Sequence, residues 1–146
     1  GGDQASRQDM MPSLVVSYND DDLLATDATT ADDNFDSTHP IYQSFAQYAD
    51  IFYQYPALRR GEQATVFQAD NNSIFAVTRT INAANGKKEK MLVAFNTSDK
   101  TASANIKLHD ENYRLVAGEG KPSQTDKSNI NIEMPALSFA VYQQVN

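Results

Sequence analysis

The chain has 146 residues, 40% of which are hydrophobic, and a formal net charge of −7. This length suffices for one domain with a buried core, and the composition does not indicate general disorder. Because nucleic acids and anionic membrane surfaces need a concentrated positive field, this acidic chain is predicted to bind neither. No stretch is apolar for long enough to cross a bilayer, and the first residues lack the pattern of a signal peptide. The absence of cysteine excludes disulfides, thiolate metal sites and cysteine nucleophiles.

The acidity is concentrated at the start of the chain. Positions 1–38 hold nine aspartates and one basic residue, whereas positions 39–146 hold eleven basic and ten acidic residues. After an apolar run from Met10 to Val16, which predicts a short strand or helical turn, this segment is rich in Asp, Asn and Thr and is predicted to be a loop. Its other large apolar residues are Leu23, Leu24 and Phe35.

Calcium binding is one alternative for this acidic loop, because hard cations take several carboxylate oxygens. Two sets of aspartates offer candidate ligands: Asp20, Asp22 and Asp27, and Asp32, Asp33 and Asp36. However, the glycine and the glutamate that an EF-hand loop needs are both missing. A solvated or cleft-lining loop is therefore favoured, and no metal site is predicted.

One helix is predicted to begin at Pro40, because proline is tolerated in the first turn and Ser37 or Thr38 can cap it. Apolar side chains then recur at spacings of three and four, as one broad stripe: Ile41, Tyr42, Phe45, Tyr48, Ala49, Phe52 and Tyr53. Pro56 is predicted to end the run, since the residue before a proline disfavours helical geometry, and Gly61 marks the next turn. Core packing is the favoured role of this stripe, so we expect another surface to cover it.

After the helix the apolar period changes to two, which predicts short strands. The expected strands cover 64–69, 73–80, 91–95, 102–108, 113–117, the region of Ile130 and Ile132, and a last run in which Leu137, Phe139, Val141 and Gln143 share a face. Turns are predicted at 70–72 and at Asn85-Gly86. Seven or so strands indicate a mainly β fold, an antiparallel β-sandwich of Greek-key type preceded by one α-helix and a long acidic loop. The predicted domains are 1–38, 39–60 and 61–146.

The remaining candidate groups do not assemble into a catalytic constellation. His39 at the helix start and His109 at a strand end are too few for a triad or a metal site. A glycosidase carboxylate pair is not apparent, because the acidic loop has no glutamate and the others fall at strand ends or turns: Glu62, Glu89, Glu111, Glu119 and Glu133. Asn71 and Asn96 each begin a match to the N-glycosylation pattern.

Five stretches follow one another in a distinctive order: GGDQASRQDMMPS, YNDDDLLATDATTADDNFDSTHPIYQSFAQYADI, YPALRRG, IFAVTRT and MLVAFNTSD. Together they resemble the C-terminal part of an alpha-amylase family glycoside hydrolase, and the resemblance covers essentially the whole chain. In that family the segment after the eighth barrel strand forms a cleft-side loop. The last barrel helix then ends in a Pro-Ala-Leu-Arg-x-Gly-like turn, and an all-β C-terminal domain follows.

The resemblance implies a parent enzyme that cleaves α-1,4-glucosidic bonds of starch and maltooligosaccharides with retention. The family's catalytic carboxylates lie on earlier barrel strands, so no catalytic residue is carried over and this segment alone is not expected to be an enzyme. The matching cleft loop contains Arg7 and Asp9, which are candidate substrate contacts. The implied partners are the catalytic barrel of the same chain and an α-glucan. No cofactor is implied for this segment, calcium is allowed in the parent enzyme, and the implied location is secreted or periplasmic.

Two roles stay open for the β-sandwich. It either stabilises the barrel by covering apolar surface, or it is a carbohydrate-binding module that holds glucan on exposed rings, with Tyr113 and Tyr142 as candidates. The structural role is favoured, because a β domain that follows a barrel usually packs on it and the aromatic residues mostly have core explanations. An exposed pair of rings on one face would favour the binding role.

Overall fold

The computed structural model describes residues 10–19, 22–82, 86–108, 112–126 and 128–145. The chain divides by internal packing into two units, Gly1–Asp50 and Ile51–Asn146. The helices are α1 (Pro40–Gln54) and α2 (Pro56–Arg60), and a short 3-10 turn covers Val16–Tyr18. The strands are β1 (Glu62–Phe67), β2 (Ile74–Asn82), β3 (Lys88–Asn96), β4 (Ala102–Lys107), β5 (Asn112–Gly118), β6 (Lys121–Asp126), β7 (Asn129–Met134) and β8 (Ser138–Val145). In the described ranges, no helix has the length and apolarity to span a membrane.

The loop of the first unit is folded by hydrogen bonds rather than by apolar packing. Ser13 N donates to the Thr30 carbonyl at 2.7 Å, and Asn34 N donates to the Met10 carbonyl at 2.9 Å. The Thr30 hydroxyl donates to Asn19 Oδ1 at 3.0 Å, and Thr30 is buried. The early apolar run was predicted to be a short strand or a helical turn, but it is irregular as far as Val15, and a 3-10 turn begins only at its last residue, Val16.

Helix α1 begins at Pro40 as predicted, but its cap is not the predicted one. The Thr38 amide and hydroxyl donate to Asp36 Oδ1 at 2.8 and 2.7 Å, so this hydroxyl does not cap the helix. The acceptor at the helix start is instead His39, whose Nδ1 accepts from the Ile41 amide at 3.2 Å. The prediction of a Ser37 or Thr38 cap is therefore wrong, because the preceding aspartate binds the threonine.

The predicted break at Pro56 is confirmed. Tyr55 is extended, with φ −113° and ψ 98°, and separates α1 from α2. Because a five-residue helix leaves most of its terminal backbone groups unpaired, it needs partners from elsewhere. Glu89 on β3 accepts from the Ala57 amide at 2.6 Å, and Arg79 on β2 donates to the carbonyl of Leu58 at 3.2 Å. These side chains attach α2 to the sheet.

Two antiparallel sheets form the second unit. One has five strands in the order β1-β2-β3-β8-β5, and the other has three in the order β4-β7-β6. The mainly β fold class is confirmed, and the Greek-key connection stays a prediction. Strand β6 was not expected, because KPSQTD shows no apolar alternation. The predicted domain bounds also stay predictions.

The main core lies between the two sheets. Leu92 is directly opposite Tyr142 in the larger sheet, and Ile106 is opposite Ile130 in the smaller one. These four side chains belong to one buried apolar cluster that draws on both sheets. Fully burying an isoleucine or leucine side chain contributes roughly 1.5–3 kcal/mol, so this cluster is the principal source of stability.

The outer face of the larger sheet is also partly covered. Met91 of β3 and Val141 of β8 are buried there with Tyr55 and Ala57 from the α2 segment. The central strands therefore carry apolar side chains on both faces.

Candidate functional site

An open cleft of about 630 Å³ lies within the first unit, between the acidic loop and the first turns of α1. Its walls are mostly apolar, and the lining residues are Met10, Leu23, Leu24, Thr26, Asn34, Phe35, Asp36, Ser37, His39, Ile41, Tyr42 and Phe45. The three large apolar residues of the acidic loop thus all line the cleft. The position of this loop beside the substrate cleft of the parent enzyme stays a prediction.

His39 connects the two walls of the cleft. Its Nδ1 accepts from the Ile41 amide at 3.2 Å, and its Nε2 lies 2.9 Å from the carbonyl oxygen of Leu24. An amide can only donate and a carbonyl can only accept, so Nδ1 is the acceptor here and Nε2 the donor. Because both ring nitrogens bond to backbone groups, the imidazole ties the acidic loop to the start of α1.

The aspartates of the loop accept local hydrogen bonds. Asp36 accepts from the Thr38 hydroxyl and amide, and these two hydrogen bonds, the hydroxyl first, lower the pKa of its carboxyl group. Asp32 accepts from the amide of Thr29 at 2.8 Å and from its hydroxyl at 3.0 Å, and the amide bond is the larger cause of its lowered pKa. Among the described residues, no three acidic or histidine side chains are grouped so that they would hold a metal ion.

Several predicted positions lie outside the described residues. They are the candidate substrate contacts Arg7 and Asp9, the acidic residues Asp20 and Glu111, the second histidine His109, and Asn85 of the predicted turn. Their roles stay predictions.

The two tyrosines predicted for glucan binding face the main core. Tyr142 is buried, and Tyr113 is partly buried against the same apolar cluster. Tyr113 pairs with Gln144 and Leu115 pairs with Tyr142, which puts both tyrosines on the inner face of the sheet. The expectation that Tyr142 offers a ring to a sugar is wrong, because an enclosed ring has no accessible face. Burial also raises the pKa of Tyr142 to about 12.

Sequence reasoning missed the structural role of Asn96, which it noted as a glycosylation match. The side chain is buried, and its Oδ1 accepts from the hydroxyls of Ser73 and Ser98. Its Nδ2 donates to the carbonyls of Lys100, Met134 and Pro135. Because Met134 ends β7, this amide connects the two sheets. A bulky glycan there is incompatible with the fold, whereas Asn71 is exposed in a turn.

The apolar stripe of α1 is exposed, since no residue of this helix is buried. Phe45 is 70% exposed and Tyr42 is 54% exposed, and both also line the cleft. Monomeric proteins rarely expose contiguous apolar patches unless something binds them. Tyr42 and Phe45 therefore belong both to the exposed stripe and to the apolar wall of the cleft.

Comparison with known proteins shows where such a segment occurs. The chain is 38% identical over 144 residues to an alpha-amylase from Streptomyces lividans, and the match covers 97% of this chain. The chain is homologous to a segment of an alpha-amylase family enzyme. The predicted resemblance to the C-terminal part of such an enzyme is confirmed. The match covers only 15% of the length of that relative, and no protein-family model matches the chain.

Three solved structures share this fold. A debranching enzyme from Nostoc punctiforme superposes with a TM-score of 0.58 at 22% identity, over 70% of this chain and 21% of that one. An isomaltulose synthase from Erwinia rhapontici NX5 gives a TM-score of 0.56 at 20% identity, over 81% of this chain and 20% of that one. An alpha-amylase from H. orenii gives a TM-score of 0.53 at 14% identity, over 83% of this chain and 26% of that one. In each, the shared fold is a small part of a longer chain.

Proposed function

We propose that this chain is the C-terminal, non-catalytic part of a retaining alpha-amylase-type hydrolase acting on α-1,4-glucans such as starch and maltooligosaccharides. Its role is to stabilise the catalytic barrel of the same polypeptide. The observation that carries the proposal is the exposed apolar stripe of α1, which lines one wall of an apolar cleft. A homologous segment that is 15% of a longer amylase supplies the context.

The chemistry of the cleft supports contact with protein rather than with sugar. Sugar sites combine apolar surfaces with polar groups that are available to the ligand hydroxyls. Here the ring of His39 and the carboxylate of Asp36 are already engaged with the chain itself. The side chains left for a partner are mainly apolar, such as Leu24, Phe35 and Phe45.

The wider setting follows from the same proposal. The barrel supplies the catalytic carboxylates, with Arg7 and Asp9 contributing from the cleft-side loop. The parent enzyme is secreted or periplasmic, and any calcium binds outside this segment. The carbohydrate-binding alternative loses support, because Tyr113 and Tyr142 do not form an exposed pair.

The isolated chain should have no amylase activity, because the resemblance assigns the family's catalytic carboxylates to earlier barrel strands. Release of reducing sugar from soluble starch should equal the blank. Hydrolysis at a rate typical of enzymes would contradict the non-catalytic role. Native gel mobility with and without starch tests glucan binding in the same preparation, and retardation would support the carbohydrate-binding alternative.

The stabilising role is tested in a chimera, defined as the Streptomyces lividans alpha-amylase with this chain in place of its matched segment. Phe45→Ser removes an exposed ring, so it should leave the stability of the isolated chain within about 0.5 kcal/mol. In the chimera it should lower the temperature at which starch hydrolysis is lost, because the ring is then buried against the barrel. Gln47→Ser, which changes an exposed polar residue of the same helix, is the matched control. Loss of starch hydrolysis at the same temperature in the Phe45→Ser and Gln47→Ser chimeras would contradict the proposal.

A further inference from the structure

The ring of His39 joins two parts of the first unit that are distant in sequence. His39 directly precedes α1, and its own carbonyl accepts from the Gln43 amide at 3.0 Å in the first helical turn. On one side of the ring, Nδ1 accepts from the Ile41 amide at 3.2 Å. On the other side, Nε2 donates at 2.9 Å to the carbonyl of Leu24, which lies 15 residues earlier in the chain. We name these two ring hydrogen bonds the His39 latch.

The His39 latch requires one ring nitrogen without a proton. In a neutral imidazole one nitrogen accepts and the other donates, which is what the Ile41 amide and the Leu24 carbonyl need. In the imidazolium both nitrogens carry a proton, and neither can accept. Turning the ring does not restore an acceptor, because both nitrogens are then donors. Protonation at Nδ1 therefore places one N–H against another and ends the hydrogen bond to Ile41.

Histidine is an unusual choice for the residue that caps a helix. The side chains preferred there are Ser, Thr, Asp and Asn, whose oxygen atoms remain acceptors in mild acid. Histidine is the side-chain type that ordinarily changes charge in the range from mildly acidic to neutral pH. The positive end of the helix dipole also lies at this terminus, so a cation is unfavourable there. The acceptor that holds the first turn of α1 is thus one that acid can remove.

One charged side chain faces the ring across the cleft. Asp36 lines the cleft with His39, and the hydroxyl and amide of Thr38 lower the pKa of its carboxyl group, so it stays ionised in mild acid. The other titratable group of the lining is the neutral phenol of Tyr42 on α1, and the described residues around Leu24 contribute none. Asp36 favours the charged ring and the helix terminus disfavours it. The loss of the acceptor follows from protonation itself, whichever of these two effects is larger.

We propose that the His39 latch is a pH-sensitive switch that fixes the acidic loop to the first turn of α1 at a pH of about 7.5 and opens at a pH of about 5. On opening, one proton from solvent binds Nδ1, and the Ile41 amide exchanges the ring for water. The bond to Leu24 needs no change, because Nε2 carries its proton in both states. The acidic-loop wall of the cleft then loses its side-chain tie to the helix wall. This inference does not rest on the proposed function, since it concerns a contact within the first unit.

Nuclear magnetic resonance of the ring nitrogens tests where the proton lies. The chain has two histidines, so in the His109→Asn variant every imidazole signal belongs to His39. At neutral pH the proton should be on Nε2 alone, and in mild acid both nitrogens should carry one. A proton on Nδ1 at neutral pH would overturn the proposal, because the hydrogen bond from Ile41 would then be impossible.

Hydrogen exchange of the Ile41 amide tests the consequence. Protection factors are compared rather than rates, because the exchange of every amide slows as the pH falls. From neutral pH to mild acid, the protection of Ile41 should fall by about fivefold, the size of effect expected for one lost cap. The Ser13 amide, which donates to the Thr30 carbonyl in the same unit, is the reference and should keep its protection. Unchanged protection at Ile41, or an equal loss at Ser13, would overturn a local switch.

His39→Asn separates the latch from other effects of acid. The asparagine oxygen is a cap acceptor at both pH values, so the protection of the Ile41 amide should no longer depend on pH. His109→Asn is the matched control and should keep the fivefold loss. A loss that persists in His39→Asn, or that disappears in His109→Asn, would overturn the proposal. The Phe45→Ser chimera tests the proposed function separately, so failure of the latch leaves that function standing.

Discussion

The two units of the chain bury different kinds of side chain. The second unit encloses large apolar residues such as Ile106, Ile132 and Met134 between its sheets. In the first unit, the buried residue in the described ranges is Thr30, which is held by hydrogen bonds to its neighbours. The difference shows that the β-sandwich contains its own core, whereas the loop and α1 expose the apolar surface that they have. The second unit therefore has an apolar core of its own, whereas the large apolar side chains of the described first unit are not buried.

The largest predicted effect is on the sandwich core. Ile132→Ala should destabilise the isolated chain by roughly 2–5 kcal/mol, because it removes buried methyl groups and leaves a cavity. Urea unfolding followed by far-ultraviolet circular dichroism measures this, since the chain has no tryptophan. Phe45→Ala in the first unit should cost less than about 0.5 kcal/mol. Similar costs for the two changes would remove the contrast between the units.

A somewhat smaller effect is expected at the polar link between the sheets. Asn96→Ala leaves the carbonyls of Met134 and Pro135 without the amide that they share, so it should cost roughly 2–3 kcal/mol. Asn72→Ala is the control, because the Asn72 side chain donates to the Ser103 carbonyl and accepts from the Ile74 amide in a turn rather than between buried strand ends. Its loss should cost about 1 kcal/mol or less. If Asn96→Ala lowers the free energy of unfolding no more than Asn72→Ala does, the hydrogen bonds of Asn96 do not hold the two sheets together.

The third effect is a pH dependence from Tyr142. Burial raises its pKa from 10.0 to about 12 in the folded chain. Below pH 10 both states keep the proton, and between pH 10 and about 12 the unfolded state loses it first. The free energy of unfolding should therefore fall with rising pH, by roughly 2–3 kcal/mol over that window. Unfolding measured at several alkaline pH values checks this.

Tyr142→Phe is the matched variant for that measurement. The Tyr142 hydroxyl is buried and has no hydrogen-bond partner among the described residues. Removing this hydroxyl should stabilise the chain by about 1 kcal/mol near neutral pH. It should also abolish the part of the fall in unfolding free energy at alkaline pH that ionisation of Tyr142 causes. If the unfolding free energy of the variant falls as steeply with pH as that of the unchanged chain, groups other than Tyr142 cause the fall.

Local signals in the sequence identified much of this architecture. Pro40 and Pro56 mark the start of α1 and the break after it, because proline restricts the backbone wherever it lies. The alternation Ala104, Ile106, Leu108 predicted the buried face of β4, since the opposite face of that strand is exposed.

Other features depended on contacts that a local pattern does not contain. Alternation could not decide which face of β8 holds the main core, because Val141 and Tyr142 are both buried, on opposite faces. Tyr142 was therefore predicted to lie on an exposed face of the sheet, whereas its side chain is buried in the main core. The helix cap was predicted wrongly because the Thr38 hydroxyl donates to Asp36 instead of capping the helix. Strand β6 was not predicted because its sequence has no apolar alternation, and it is a strand through its pairing with β7.

The most direct test of the account is native-state hydrogen exchange of α1, measured in the isolated chain and in the chimera. In the isolated chain, amides of β3 and β8 should exchange only through global unfolding, whereas the first turns of α1 should exchange at least about a hundredfold faster. In the chimera, α1 should become as protected as the sandwich. Full protection of α1 in the isolated chain, or no gain in the chimera, would contradict the claim that this helix needs the barrel.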